Sequence, residues 1–325
     1  MRPTAVLITA RGRDTFTAEQ AARLEAAGEI RYIDALAPIP PRELAALLAD
    51  ADVAGTTPRS VPAIDGSWIP LVPKLKGIAV FATGTDYIDL ELLRRRGIRL
   101  LHLPEYSTVS VAEHTMGLLL TMARRIHLSQ DRVRGRVPAG TSVKGWELNG
   151  KTIGLIGLGR IGSAVASMAA AFGMRVIGYD PDPAAGAGIR AARTSLDELL
   201  AASDVVSLHY PSGWQASHSF GRRELALMKP GATLINVSRS ALVDDEAVVG
   251  AIEEGRLRGY AVDDYFSLRE RAARLIEEGR ILQTGHTAWY SEEVIGRGYE
   301  AWVDHVIRLL GEAALQASVE EGAAG

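Results

Sequence analysis

Residues 151–180, KTIGLIGLGRIGSAVASMAAAFGMRVIGYD, constrain the fold more than any other stretch of the chain. An apolar run, Ile153 to Ile156, runs into Gly157, Gly159 and Gly162. A small-residue helix is expected from Ile161 to Phe172, and a second apolar run, Met174 to Tyr179, ends at Asp180. Strand, turn, helix and strand with G-x-G-x-x-G spacing form the opening unit of a doubly wound parallel sheet. Gly157 permits the tight turn, Gly159 lets the backbone approach a pyrophosphate, and Gly162 lets the helix lie against the strand. Arg160 and Ile161 sit between the last two glycines, at the helix N-terminus, where free N–H groups and the positive end of the dipole favour phosphate. Asp180 lies about 20 residues beyond the glycines, the spacing at which a carboxylate accepts hydrogen bonds from an adenosine ribose. This favours NAD over NADP, because a 2′-phosphate would face the carboxylate and Pro181 offers no cation. A glycine-rich turn without a ligand would require neither the flanking strands nor the distal aspartate.

The rest of the chain has room for a second domain. At 325 residues it exceeds one comfortable core. The formal net charge of −3 comes without a basic block that could track a phosphate backbone, so nucleic acid is not an expected partner. Cysteine is absent, which excludes disulfides and thiolate chemistry. No metal-ligating cluster is apparent. The opening MRPTAVLITARG reads as a short strand without a signal-peptide core, and no apolar run reaches transmembrane length. The expectation is a cytoplasmic protein without a membrane partner.

Strands and helices alternate through both parts of the chain. Thr4 to Thr9 reads as the first strand, and Thr17-x-x-Gln20 as a capping box for the helix that follows. Leu75 to Phe81 is a strand ending in Ala82-Thr83-Gly84-Thr85-Asp86, where Thr83 and Gly84 could present N–H groups to a carboxylate. A long periodic helix is expected from Val111 to about Leu128, carrying Glu113 and a structural His114 near its start. Residues 131–148 read as a loop. Helical patterning returns from Leu268 to Glu278, and a last amphipathic helix from Glu292 to about Leu310 precedes a frayed tail. The fold class expected is α/β: a Rossmann-type doubly wound parallel sheet in residues 104–288, with a second, flavodoxin-like α/β domain in residues 1–103 completed by 289–325.

The chemistry concentrates at strand ends. Arg239, the pair Asp263-Asp264, and His286 follow consecutive strands of the larger domain. Ligands of open α/β sheets bind outside such carboxyl ends. A guanidinium offers a planar fork to a carboxylate or carbonyl, and an imidazole can donate a proton near neutral pH.

Several motifs in the same order resemble the D-isomer-specific 2-hydroxyacid dehydrogenases. They are Ala82-Thr83-Gly84-Thr85-Asp86, Val111-Ala112-Glu113-His114, the GLGRIG run from Gly157, Met228-Lys229-Pro230-Gly231, Ile235-Asn236-Val237-Ser238-Arg239 and His286-Thr287-Ala288-Trp289. The segment at Ala82 and the run Pro104 to Ser107 look most like the glycerate dehydrogenase/hydroxypyruvate reductase branch. The run His286 to Glu292 is similar to the C-terminal-binding-protein co-repressors. The resemblance implies that Arg239 binds and polarises the substrate, that His286 is the acid/base, and that Thr83 and Gly84, with Trp289, meet the substrate. It adds His209, Pro211, Val237, Asp263 and His286 to the residues expected along NAD, with Asp263 at the nicotinamide end. It also implies a homodimer formed through the cofactor domain.

The sequence departs from that pattern at one functional position. The family's D-V-F-x-x-E-P run, whose glutamate pairs with the catalytic histidine, is here Asp263-Asp264-Tyr265-Phe266-Ser267-Leu268-Arg269. Leu268 stands at the glutamate position and can neither orient an imidazole nor share its proton. Glu270 and Asp264 are the two carboxylates near enough in sequence to substitute. A second departure is Ser212-Gly213-Trp214, where the family tends to have Leu-Thr-Pro. Three functions stay open on the sequence: a dehydrogenase for a small 2-keto acid such as hydroxypyruvate or glyoxylate, an NAD(H)-binding regulatory protein with little turnover, and a dehydrogenase for an unusual acid such as a phosphonate or a natural-product intermediate.

Overall fold

Every named strand pair is parallel, so connections within a sheet must cross over its face, and helices make most of these crossings. The computed structural model describes residues 2–189, 191–211 and 220–323, with side chains described to residue 317. The chain forms two compact units, Met1–Ser107 with Ser291–Gly325, and Thr108–Tyr290.

The first unit holds strands β1 (Thr4–Thr9), β2 (Glu29–Asp34), β3 (Val53–Thr56), β4 (Gly77–Val80) and β5 (Arg99–Leu101), in the order β2-β1-β3-β4-β5. This is the flavodoxin-like order. Strand alternation sorts its core. Val6, Ile8, Ala54, Ile78 and Val80 face one apolar layer with Leu44, Trp68 and Leu93. The other face takes the C-terminal helix Glu292–Ala323. That helix lies close because Gly55 and Gly77 carry no Cβ: a methyl there would sit 3.0 Å from the Trp302 ring and 2.9 Å from Leu309. Trp302 is fully buried and donates its indole N–H to the Ala79 carbonyl at 3.0 Å. The Thr17–Gln20 capping box forms as expected at the start of helix Ala18–Ala27.

The second unit is a seven-stranded sheet of β6 (Thr152–Ile156), β7 (Arg175–Tyr179), β8 (Ala192–Arg193), β9 (Val205–Leu208), β10 (Ala232–Asn236), β11 (Leu257–Asp263) and β12 (Ile281–Thr284). The order is β12-β11-β10-β9-β6-β7-β8. The chain runs outward from β6 to β8, then returns to β9 on the other side of β6. The crevice between β6 and β9 is therefore the topological switch point of a Rossmann-type sheet. One face carries Leu155, Val165, Ala169 and Ile235, and the other Leu200, Leu234, Val248 and Ile252.

Three helix boundaries differ from expectation. The helix expected from Val111 to Leu128 is two, Thr108–Arg124 and Ile126–Val133. Arg125 breaks it at φ 57°, and its guanidinium donates to the Glu278 and Gly279 carbonyls. Between Leu268 and Glu278 only Ala273–Glu277 is α-helical. The last helix does not stop near Leu310 but continues to Ala323, because no proline interrupts it.

Candidate active site

The glycine turn follows β6 directly. Gly157 has φ 95°, and a Cβ there would lie 2.6 Å from the His209 carbonyl oxygen. At Gly162 a Cβ would lie 2.1 Å from the Gly157 oxygen, so this helix can meet the turn only through glycine. Gly159 differs: its missing Cβ would meet nothing within 4 Å. Among the described residues no contact explains glycine there, and the open cradle fits a ligand that approaches the backbone. Gly159 is also the N-cap of helix Arg160–Ala171 and supplies no side-chain cap. The first-turn N–H groups thus keep the anion preference of a helix N-terminus. Arg160 is exposed, while Ile161 packs on the core beneath the turn. Asp180, at the end of β7, accepts from the Leu158 N–H at 2.7 Å and the Asp182 N–H at 3.0 Å. It therefore clamps the turn. Arg193 went unnoticed in the sequence. Its guanidinium donates to the carbonyls of Asp180, Asp182 and Ala185, so a cation does lie beside this position. Only the pairing of short β8 with β7 brings it there, and that leaves no local signal.

His209 and Pro211 follow β9 across the crevice. The His209 Nε2 shares a 2.9 Å hydrogen bond with the Ser207 hydroxyl, and its buried Nδ1 has no partner among the described residues. Burial lowers its pKa to about 3, so the ring is neutral throughout the ordinary pH range. Pro211 is exposed. Trp214, with Ser212 and Gly213, lies outside the described residues.

The ends of β10, β11 and β12 carry the ionisable groups. Buried Asn236 shapes the turn that presents Arg239. Its amide N–H donates to the Arg239 carbonyl at 2.8 Å, and its oxygen accepts from the Ser238 N–H at 3.0 Å. Val237 lies in this turn, half-buried against the core. Arg239 is itself half-buried and donates to the Ser238 carbonyl. Asp263 is 3% exposed and ties down the segment after β12. Its Oδ1 accepts from the Thr284 hydroxyl at 2.7 Å and the Thr287 N–H at 2.8 Å, and its Oδ2 from the Ala288 N–H at 2.7 Å. His114 joins this group, with Nε2 3.0 Å from Thr284 Oγ1 and 3.7 Å from Asp263 Oδ1. In the middle of the segment sits His286, held at φ 58°, a left-handed conformation uncommon for a side chain of this size. Asp263 thus has a scaffolding duty that sequence reading missed.

Asp264 and Glu270 have different fates. Asp264 Oδ1 lies 3.5 Å from His286 Nδ1. Glu270 is exposed, and among the described residues no hydrogen bond or ion pair joins it to His286. Of the two carboxylates that the sequence offers, Asp264 rather than Glu270 lies beside the imidazole in this geometry. Leu268 is half-buried against the apolar core. Burial by itself would raise the Asp264 carboxyl. Its hydrogen bonds with His286 and with the Ser240 and Tyr265 N–H groups outweigh burial and hold it far below the usual carboxylate range.

Trp289 follows the same segment, edge-on to Tyr290 with ring centroids 5.2 Å apart. Thr83 and Gly84 belong to the first unit. The Thr83 hydroxyl donates to the Leu103 carbonyl at 3.0 Å, and its carbonyl meets His102 Nδ1 at 3.0 Å. The N–H groups of Thr83 and Gly84 donate to no other group among the described residues. Among the described residues no group of three or more acidic or histidine side chains is placed to hold a metal ion, and no helix is long and apolar enough to cross a membrane.

Comparison with known proteins agrees with this geometry. The model of the NAD binding domain of D-isomer specific 2-hydroxyacid dehydrogenases matches residues 116–288. D-3-phosphoglycerate dehydrogenase of Methanocaldococcus jannaschii is 35% identical over 274 residues, 83% of this chain and 51% of that protein. The chain thus spans about half the length of this relative. Glyoxylate reductase of Thermococcus litoralis is 40% identical over 210 residues, 62% of this chain and 63% of that protein. Among solved structures, the TT0316 protein from Thermus thermophilus superposes with a TM-score of 0.82 at 34% identity, covering 95% of this chain and 97% of that one.

Proposed function

Because the chain belongs to the D-isomer specific 2-hydroxyacid dehydrogenase family, we propose that it reduces a small 2-keto acid of the glyoxylate or hydroxypyruvate type with NADH. The observation that carries this reading is the joint placement of Arg239 and His286 at strand ends of the sheet whose switch point holds the glycine turn. The glycines of the turn, the N-terminus of the helix from Arg160 and the Asp180 carboxylate would hold the dinucleotide. His209, Pro211, Val237 and Asp263 would line its course toward the nicotinamide. When bound, NADH would supply the hydride, two electrons with one proton, that C2 of the keto acid takes up. Arg239 binds the substrate through its guanidinium fork and stabilises the negative charge that develops on the carbonyl oxygen. His286 donates the proton that converts this oxygen to the hydroxyl, and takes it back in the reverse direction. The family resemblance assigns the substrate carboxylate to the N–H groups of Thr83 and Gly84, and a substrate contact to Trp289. A homodimer formed through the Thr108–Tyr290 unit and a cytoplasmic setting belong to the same reading.

The test is a panel of 2-keto acids followed by NADH absorbance. Glyoxylate or hydroxypyruvate should saturate the full chain. Arg239→Ala should reduce kcat/KM by about 10²-fold or more, and His286→Ala by about 10²- to 10⁴-fold. Turnover that survives both substitutions would remove the mechanism. Tight NADH binding without saturable turnover of any keto acid would instead favour a regulatory protein. Light scattering of the full chain reports the dimer.

A further inference from the structure

We propose that Asp264 is the positioning residue for His286, replacing from the opposite end of the segment the carboxylate that Leu268 cannot supply. The proposal rests on the dehydrogenase reading and adds to it a residue and a geometry particular to this chain. Four observations carry it.

Asp264 Oδ1 is the carboxylate oxygen beside the imidazole, 3.5 Å from Nδ1. This is an ion-pair separation, and such contacts commonly tighten once substrate is bound. A carboxylate at Nδ1 holds the proton there and leaves Nε2 as the atom that exchanges a proton with the substrate.

The carboxylate is also fixed. Its Oδ2 accepts from the Ser240 N–H at 2.8 Å and its Oδ1 from the Tyr265 N–H at 2.8 Å. The Asp264 main-chain carbonyl accepts from the Gln283 side chain at 2.8 Å. The side chain cannot swing away without giving up two charge-assisted hydrogen bonds.

Its exposure is graded correctly for the role. The Asp264 side chain is 20% exposed and that of His286 is 49% exposed, so the carboxylate is sheltered while the imidazole is open to a reactant.

Finally, Asp264 touches both functional turns at once. Ser240 follows Arg239 directly, so one carboxylate joins the turn that presents the guanidinium to the segment that presents the imidazole. Asp263 holds the segment on either side of His286, through the Thr284 hydroxyl before it and the Thr287 and Ala288 N–H groups after it, and Asp264 anchors the ring. Neighbouring residues at a strand end point to opposite sides, which lets adjacent aspartates divide these duties.

The experiment uses the full chain with NADH and glyoxylate. It compares wild type with Asp264→Asn, Asp264→Glu, His286→Ala and the double variant D264N/H286A. Asp264→Asn should lower kcat by about 10- to 100-fold while NADH affinity, read by fluorescence quenching, stays within about twofold. Asp264→Glu retains the charge and should recover most of that loss. In the His286→Ala background, Asp264→Asn should change the residual kcat by less than about twofold, because a residue that acts through His286 has nothing left to position. Three results would overturn the proposal. Wild-type kcat in Asp264→Asn, with His286→Ala slowed by about 10²-fold or more, removes Asp264 alone. An undiminished Asp264→Asn effect in the His286→Ala background assigns it a purely structural role. Wild-type turnover in His286→Ala removes the dehydrogenase mechanism and this proposal with it.

Discussion

Asp263 shows how a buried charge can serve a neighbour's geometry. It is 3% exposed, yet three donors from the 284–288 segment converge on it. Asp263→Asn replaces one acceptor oxygen with a donor and leaves at least one N–H unmatched. The cost should be about 1–3 kcal/mol, read as a lower urea midpoint, with kcat reduced because the His286 turn loosens. His209 gives a pH prediction whose sign follows from burial. Its pKa is about 6.5 in an unfolded chain and about 3 in the fold. The unfolded chain therefore takes up the proton first as pH falls. The stability contributed by the neutral ring is present above about pH 6.5 and is lost progressively toward pH 3. His209→Asn removes this titration, so its urea midpoint should decline less steeply than that of the wild type as pH is lowered from 7 to 4. Arg239 and His286 could be read from sequence because each sits at the end of an apolar run. The contact of Asp264 with His286 could not, because it depends on which way a single side chain leaves the end of β11.

Among the elements, the turn and helix after β6 separate glycines required by the chain from a glycine required by something else. Gly162→Ala places a methyl 2.1 Å from a backbone oxygen. It should cost roughly 3 kcal/mol or more, with NADH binding lost alongside stability. Gly159→Ala meets nothing within 4 Å among the described residues. It should leave the thermal midpoint nearly unchanged and still weaken NADH binding at least tenfold, measured by fluorescence quenching. Equal effects of the two substitutions on stability would contradict this division. The order of elements was legible because the apolar runs are short, evenly spaced and separated by capped helices such as Ala18–Ala27 and Leu196–Ala202. Helix ends were less so. The break at Arg125 is set by carbonyls at Glu278 and Gly279, more than 150 residues away in sequence, and no local pattern signals it.

At the level of the whole molecule, the chain leaves its first unit after Ser107 and returns to it at Ser291. Trp302, on the returning helix, fills the sheet face opened by Gly55, so Trp302→Ala should destabilise the first unit by about 3–5 kcal/mol. NADH binding, assigned to the Thr108–Tyr290 unit, should persist under conditions where near-ultraviolet dichroism shows the first unit loosened. The sequence pattern disclosed both sheets, since alternation through the first 100 residues repeats that of the later ones. The measurement that bears most directly on function follows the hydride itself. NADH carrying deuterium at both hydrogens of nicotinamide C4 is mixed with glyoxylate and the full chain, and the glycolate formed is examined by mass spectrometry. One deuterium should appear on C2 of the product at the rate of NADH consumption, with transfer slowed by about 10²-fold or more in Arg239→Ala and in His286→Ala. Glycolate without deuterium, or label transferred at the wild-type rate by either variant, would contradict this mechanism.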